Sequence, residues 1–556
     1  MSAAEIQLPV SQVPEVHDYE VGRLDPTAAK PGEPHRVAYK QHDAPDEVVA
    51  FSNESEYKEY RQLTDLREPY QFSKGRRPNI PADYLVGTKR FVGLQLAEAP
   101  LIVFINAKSG GRVGPRLATV LFHALGQGQV FDLADQRPAP VLKTLWENLL
   151  AREAEGDKRA AHIRRNMRIL AAGGDGTVTW ILKTIHDLGL DPMPAVGVMP
   201  LGTGNDLSLS FGWGNMFLNK WIRAQSLYHT LKRFADAEVG HLDAWRINIA
   251  APAADLFHEL PHSLQLNQAS KAGVAAEVTG CFWNYFSVGL DAEAAYGFHR
   301  LREAKPWAAS SRLTNQAWYS FFSCTSGWFC GAAPLVNKLR LRVKDRAGGG
   351  AEWREVEVPR SVRALVLLNL QSYGGGRDLW GLSDDRLMKE KGFVDPIFDD
   401  GLIEVVGLGS GWHTALVMGQ VTSKLHAVRL AQCAAVELEL ASGSGGKRGA
   451  GGVKDETGLT HMQLDGEPWA QQIPAAGEGR QPLRVHVSCE YQSRMLFNSD
   501  DIQGGLRVKR LAKRGALKKT NSLKDVEGAS VPVSTRTEHG STVVPTVVTE
   551  DGSASA

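Results

Sequence analysis

Asp175 stands among glycines in "GGDGT" (Gly173–Thr177), directly after the apolar run "ILAA" and directly before a helical pattern. Successive backbone N–H groups at such a turn form an anion nest, and the first turn of the next helix adds free N–H groups that attract phosphate. A carboxylate in the same place repels bare phosphate. It is expected there if Mg²⁺ lies between, because Mg²⁺ keeps waters and is held by few carboxylates together with nucleotide phosphates. No Lys-Ser/Thr follows, so the loop is not a Walker loop, and it is not the GxGxxG of dinucleotide folds.

Two further loops carry similar chemistry. "NAKSGG" sets Asn106, Lys108 and Ser109 beside Gly110 and Gly111, and "LGTGND" offers Gly202, Thr203, Gly204, Asn205 and Asp206. Any one of them alone is explained by a turn that needs positive φ. Three in succession, each after a strand-like run, point to an anionic ligand held between them. Asp206 has two readings, a metal or nucleotide contact and an N-cap of the helix that follows. Near the other end, "QLDGEPW" brings Asp465 and Glu467 together, and Asp-Gly by itself reads as a hairpin turn.

The elements that must position these residues follow from periodicity. Leu101–Ile105 is a continuous apolar run of the buried-strand kind, followed by a helix with Leu117, Val120, Leu121 and Leu125 on one face. The unit recurs in "MRILAA", GGDG and a helix striped by Val178, Ile181, Leu182, Ile185 and Leu188, then in the strand Ala195–Met199. Alternating β and α with glycines at strand ends predicts a parallel sheet covered by helices, with ligands outside the strands' carboxyl ends. From about Asp243 strand-like runs dominate: Ala244–Ala250, Phe282–Leu290, Val362–Gln371, Leu402–Leu408 and Leu483–Tyr491. These predict a second, mainly antiparallel β domain.

The bulk numbers bound the rest. Lys+Arg 63 against Asp+Glu 62 gives a net charge of +1, which offers no global attraction to nucleic acid, and no nucleic-acid partner is expected. The five cysteines, Cys281, Cys324, Cys330, Cys433 and Cys489, show no CxxC pair, which fits a reducing compartment. The N-terminus has no basic-then-apolar signal pattern. The uncharged stretch Leu313–Asn337 is long enough for a membrane span, but it is laced with Ser, Thr, Cys, Gly and Pro, so a buried helix or an aromatic-lined lipid groove is expected instead.

Together the three loops resemble the diacylglycerol kinase catalytic domain, within a lipid-kinase superfamily that includes sphingosine kinases. GGDGT is shared with NAD kinases. The wider match rests on "NYFSVGLDAEAAYGFH", "NLQSYGGGRDLW", "DDGLIEVVGL" and "MQLDGEPW", which follow in the family's order over about residues 98 to 500. The resemblance implies an α/β plus β fold: a Rossmann-like three-layer nucleotide domain (96–243), then a mainly antiparallel β-sandwich-like lipid-side domain (244–500), with the active site in the interdomain cleft. A polar, partly ordered extension (1–95), with a short helix at Glu56–Leu66, would precede them. A basic and then disordered tail (501–556) would follow.

The resemblance also implies ATP and Mg²⁺ in the cleft and a lipid alcohol as acceptor. Asp465 would be the general base, with Glu467 beside it, and Asp175 would act with the metal. Asp175 and Asp206 would meet Mg²⁺ or nucleotide. Asp395, Asp399 and Asp400 in "FVDPIFDDGLIEV" resemble an acidic turn that helps hold a structural Mg²⁺ in bacterial relatives, or they form a solvated turn. Asn284, Ser287, Asp291, His299 and Tyr373–Gly376 would lie near the cleft, or serve strand and turn packing. The expected reaction converts 1,2-diacylglycerol to phosphatidic acid. A sphingoid-base or ceramide kinase is the nearest alternative, and a catalytically silent nucleotide-binding scaffold a more distant one.

The chain departs from many animal relatives. Its scattered cysteines cannot supply a zinc module, and it has no EF-hand loop, so it resembles the short kinases of plants and algae. Membrane docking must then come from elsewhere. Arg507–Lys519 is basic and weakly amphipathic, suited to anionic lipid or calmodulin, or it is a solvated tail. The aromatic block Trp307–Phe329 is read as core or as a lining for acyl chains. A cytoplasmic enzyme associating peripherally with membrane is the expectation.

Overall fold

The structure, a computed structural model of the 556-residue chain, describes residues 35–39, 47–51, 78, 80, 84, 98–109, 113–125, 127–202, 204–222, 224–267, 275–304, 334–345, 352–381, 390–409, 426–442, 458–477 and 480–498. Outside the described residues lie Gly110, Gly111, Thr203, Glu56–Leu66, the aromatic block Trp307–Phe329, most of the loop Ala441–Gly452, and Arg507–Lys519. No helix among the described residues is long and apolar enough to cross a membrane.

β1 (His35–Tyr39) and β2 (Glu47–Phe51) pair antiparallel as a two-stranded sheet of their own. The first half begins with β3 (Leu101–Ile105), α1 (Val113–Leu125), β4 (Val130–Asp132), α2 (Pro138–Ala154), α3 (Lys158–Asn166), β5 (Arg168–Gly173), α4 (Asp175–Asp187) and β6 (Ala195–Pro200). Local signals account for the helix starts. Pro138 opens α2, and the Asp157 carboxylate caps α3 by accepting N–H bonds from Arg159 and Ala160 at 2.8 and 3.2 Å. Strands β4-β3-β5-β6 are parallel in that order, and every residue of β3, β5 and β6 is buried. That explains their apolar sequences, interrupted only by Arg168 at the start of β5, which donates to Phe234 O and Ala237 O at 2.8 Å. Short α5 (Asp206–Ser210) and α6 (Ala224–Asp236) follow. Ile80 and Tyr84, from the N-terminal extension, are buried in the same core.

The β half shares a sheet with the first. Strand β7 (Glu238–Ala251) crosses from one half to the other without a break. It pairs antiparallel over nearly its whole length with the last strand, β19 (Leu483–Phe497), with a bulge at Glu490. At its far end β19 joins the parallel sheet through Met495 opposite Val196. Met495 and Leu496 are buried in the core of the first half, and the indole N–H of Trp213 donates to the Leu496 carbonyl at 2.7 Å.

Between β7 and β19 come β8 (Leu264–Leu266), β9 (Ala276–Phe282), β10 (Tyr285–Gly289), α7 (Leu290–Ala304), β11 (Leu339–Lys344), β12 (Trp353–Val356), β13 (Ala364–Leu368), β14 (Ile403–Leu408), β15 (Val428–Cys433), β16 (Ala435–Leu440), β17 (Leu459–Leu464) and β18 (Glu467–Gln472). A six-stranded antiparallel sheet runs β15-β14-β13-β10-β17-β18. Its inner face, with Phe286, Leu365, Val405 and Met462, packs on Ile247, Val278, Leu341 and Val485 of the long sheet. This is a β-sandwich, stabilised by about 1.5–3 kcal/mol for each large apolar side chain buried. The architecture is thus a mixed α/β half followed by an antiparallel β half.

Candidate active site

The glycine loops meet by backbone contact. A Cβ on Gly202 would lie 2.5 Å from the Gly174 Cα, so only glycine lets the loops after β5 and β6 touch. Gly174 caps α4 without a side chain, and Thr177 and Val178 return their N–H groups to its carbonyl at 2.9 and 3.3 Å. The first-turn N–H groups of Asp175 and Gly176 stand outside that ladder, and a Cβ on Gly176 would meet open space. Gly173 is closed, since a Cβ there would collide with the Thr177 hydroxyl. The loop after β3 is tied to β5 by Asn106 N–H to Ala172 O and turned on itself by Ser109 N–H to Asn106 O, both 2.9 Å, and leaves Lys108 exposed.

Asp175 and Asp206 are joined. Asp175 Oδ2 accepts the N–H of Asp206 and Oδ1 that of Leu207, each at 3.0 Å. The carboxylate that caps α5 is therefore Asp175, while Asp206 turns away. The Asp206 oxygens accept the Ser372 hydroxyl and the N–H groups of Gly375 and Gly376 at 3.0 Å. Asn205, with φ 54°, folds back on its own loop: Oδ1 accepts Gly202 N–H at 3.0 Å, and Nδ2 donates to Gly202 O and Asn215 O. It is scaffold for the loop.

The β half presents Asp465. Leu464 pairs with Glu467, leaving Asp465-Gly466 as a two-residue hairpin turn with φ of 47° and 90°. These are the mirror-image turn angles that Asp-Gly favours. The turn and the site are the same feature. The Asp465 carboxylate accepts three main-chain N–H bonds, from Trp283 on Oδ2 at 2.9 Å and from Asn284 and Tyr285 on Oδ1 at 2.9 and 3.0 Å. Oδ2 keeps capacity to accept one more. Glu467 points elsewhere, accepting the Ser263 N–H at 3.1 Å.

Electrostatics follow from depth. Asp465 is half-buried as a residue, but its carboxyl is sunk among main-chain amides. Burial pushes it up to about 7, against the three N–H bonds that pull it down. Asp175 is also raised, by burial first, then by the charge of Asp206 and, more weakly, that of Asp465. The charge of Asp465, on the other half, thus reaches Asp175.

The remaining expected residues divide. Ser287 donates to Asp291 at 2.9 Å and both are fully buried, as core. Tyr373 packs against Tyr285 with ring centroids 4.7 Å apart and the planes tilted by 58°, and Gln463 donates to the Tyr285 hydroxyl. Asn284 is 2% exposed, and its Oδ1 has no hydrogen-bond partner among the described residues. His299 lies on α7. Asp399 and Asp400 belong to a separate cluster: Asp399 O accepts from Gln492, Asp400 Oδ1 accepts Leu402 N–H, and buried Asp243 accepts from Gln492 and Gly401.

No group of three or more His, Cys, Asp or Glu side chains forms a metal cage among the described residues. Mg²⁺ in phosphoryl transfer needs no such cage. Asp175 keeps a lone pair on each oxygen, whereas Asp206 Oδ1 already accepts from Ser372, Gly375 and Gly376 and its Oδ2 accepts only the shared Gly375 N–H. The residues fit a Mg²⁺ ligand at Asp175, the carboxylate of the two with the more acceptor capacity left.

Sequence reasoning placed Tyr373–Gly376 near the cleft but missed what they bind. The signal was "SYGGG" itself, three glycines in a row, which take φ of 55°, 94° and 107°. The amides of Trp283–Tyr285 had no side-chain signature.

Comparison with known proteins shows the family. The diacylglycerol kinase catalytic domain model matches residues 100–236 and the diacylglycerol kinase accessory domain model matches 281–468. Diacylglycerol kinase 4 of Arabidopsis thaliana is 41% identical over 395 residues, 67% of this chain and 77% of that protein. Diacylglycerol kinase 3 of the same plant is 39% identical over 422 residues, 72% of this chain and 82% of that one. Diacylglycerol kinase theta of Homo sapiens is 31% identical over 70% of this chain and 35% of its own. A solved diacylglycerol kinase from Bacillus anthracis str. Sterne aligns with 73% of this chain and 99% of its own at TM-score 0.37 and 14% identity. The chain belongs to the diacylglycerol kinase family.

Proposed function

We propose that this kinase transfers the γ-phosphoryl group of ATP to the free hydroxyl of 1,2-diacylglycerol, giving phosphatidic acid and ADP. The observation that carries the mechanism is Asp465, held by three main-chain N–H bonds opposite the GGDGT loop and with acceptor capacity left on Oδ2. That oxygen accepts the lipid hydroxyl's proton as the hydroxyl oxygen bonds to phosphorus and the bond to the ADP oxygen breaks. The three N–H bonds fix the carboxylate in place, and burial keeps its affinity for a proton near neutrality.

The first-turn amides of α4, with Lys108 nearby in the loop after β3, receive the phosphates. Mg²⁺, when bound, supplies charge neutralisation on the phosphates, and Asp175 is the residue that would hold it, directly or through water. Asn284, fixed by its own N–H to Asp465, offers its carboxamide to the acceptor's polar end. Its buried Oδ1 costs stability unless a ligand meets it. Glu467 supports the hairpin through Ser263.

Peripheral attachment to a cytoplasmic membrane face, with Arg507–Lys519 meeting anionic lipid or calmodulin, is part of the same proposal and rests on charge pattern. An assay of labelled ATP on mixed micelles carrying diacylglycerol, sphingosine or ceramide in parallel tests the substrate. Transfer to sphingosine or ceramide but not to diacylglycerol would overturn it.

A further inference from the structure

The buried carboxylate of Asp206 joins the two halves of the molecule. It is 4% exposed. One oxygen accepts the Ser372 hydroxyl and the Gly376 N–H, and both oxygens share the Gly375 N–H at 3.0 Å. Gly374, Gly375 and Gly376 all have positive φ, which turns successive amides toward one point. Such a nest is an anion receptor, and here its anion is the chain's own side chain. The fit is close on the apolar side too. A Cβ on Gly376 would come 2.9 Å from Leu209 Cδ2, on the same short helix as Asp206. With three donors on Oδ1 and one shared donor on Oδ2, Asp206 has less acceptor capacity left for a cation than Asp175.

The contact completes one chain of contacts between the two acids. Asp175 holds the Asp206 N–H, and Asp206 holds the Ser372–Gly376 loop. Tyr373 in that loop packs at a tilt against Tyr285, whose N–H holds Asp465.

We propose that Asp206 is a positioning residue, a latch that docks the Ser372–Gly376 loop of the lipid-side half onto the nucleotide loops. Nucleotide and lipid alcohol then bind with positive coupling. This rests on the lipid-kinase reading. Because the latch registers two halves, each substrate tightens the site for the other, and linkage makes the effect reciprocal.

The test is a double-mutant cycle on the full chain with Asp206→Asn and Ser372→Ala, read as kcat/KM for diacylglycerol, KM for ATP at low and saturating lipid, and half-saturating Mg²⁺. Asp206→Asn puts an NH₂ donor against the glycine amides. Ser372→Ala removes one donor to a buried charge and should lower kcat/KM about tenfold or more. The double variant should be no worse than Asp206→Asn alone. The fall in ATP KM as lipid saturates should disappear in both, half-saturating Mg²⁺ should stay unchanged, and Ser372→Thr should restore activity. A silent Ser372→Ala, strict additivity, or a shift of half-saturating Mg²⁺ in Asp206→Asn would overturn the latch. The same cycle on thermal unfolding measures the contact without any substrate. If wild type labels sphingosine or ceramide instead of diacylglycerol, the substrate reading fails and the cycle is run on that acceptor.

Discussion

The Asp175 carboxylate holds the main-chain N–H of Asp206 at 3.0 Å, so the acid of the GGDGT loop is also the cap of the helix after the next strand. One side chain ties two nucleotide loops together and keeps a lone pair on each oxygen for a ligand.

Both duties are lost together in Asp175→Ala. The expected result is loss of turnover by at least about 100-fold and loss of about 1–2 kcal/mol of stability from the missing cap. Denaturant melts beside steady-state kinetics check this. Unchanged stability would remove the capping role, and near-normal turnover would remove the ligand role.

Asp465 sets the pH profile. Its carboxyl is raised from 3.8 to about 7 by burial, so the base form is lost as pH falls through about 7. Rate under saturating substrates should rise up to about that pH and then level. The stability sign is opposite. A raised carboxyl binds its proton more tightly in the folded chain, so its contribution to stability is present below about 4 and lost as pH climbs toward 7. A rate profile flat from pH 5.5 to 8 would contradict the assignment.

Asn284 carries a buried carboxamide oxygen without a partner. Asn284→Ala should raise KM for the lipid about tenfold, leave KM for ATP alone, and keep or raise the melting temperature. A residue serving only the fold would lower the melting temperature and spare the lipid KM.

The tail carries a separate expectation. Truncation after Asp500 removes Arg507–Lys519 and should weaken co-sedimentation with phosphatidylserine vesicles, with the loss shrinking at high salt. Unchanged co-sedimentation at low salt would take the tail out of membrane attachment.

Much of this was legible in the chain. Strands β3, β5 and β6 are buried on both faces, so their sequences are apolar runs interrupted only by Arg168, and each ends where a ligand loop begins. The six-stranded sheet announced itself by runs at 362–371 and 402–408. What stayed hidden was long-range pairing. The end of β19 enters a sheet laid down some three hundred residues earlier, at Val196, and no local pattern specifies that partner. Helix α7 begins at once after β10, inside a region read as β-rich. The Asp206–Ser372 bond spans 166 positions. Asp465 was ambiguous for a different reason: Asp-Gly is both the preferred turn pair and the acid of the site, and the structure uses it as both.

The most direct measurement of the central claim is transfer of label from γ-labelled ATP to diacylglycerol in mixed micelles by wild type and by Asp465→Asn, with ATP binding measured on both. Wild type should label diacylglycerol. Asp465→Asn should bind ATP with similar affinity and lose transfer by about 10²- to 10⁴-fold. Near-wild-type transfer by a folded Asp465→Asn would contradict the account.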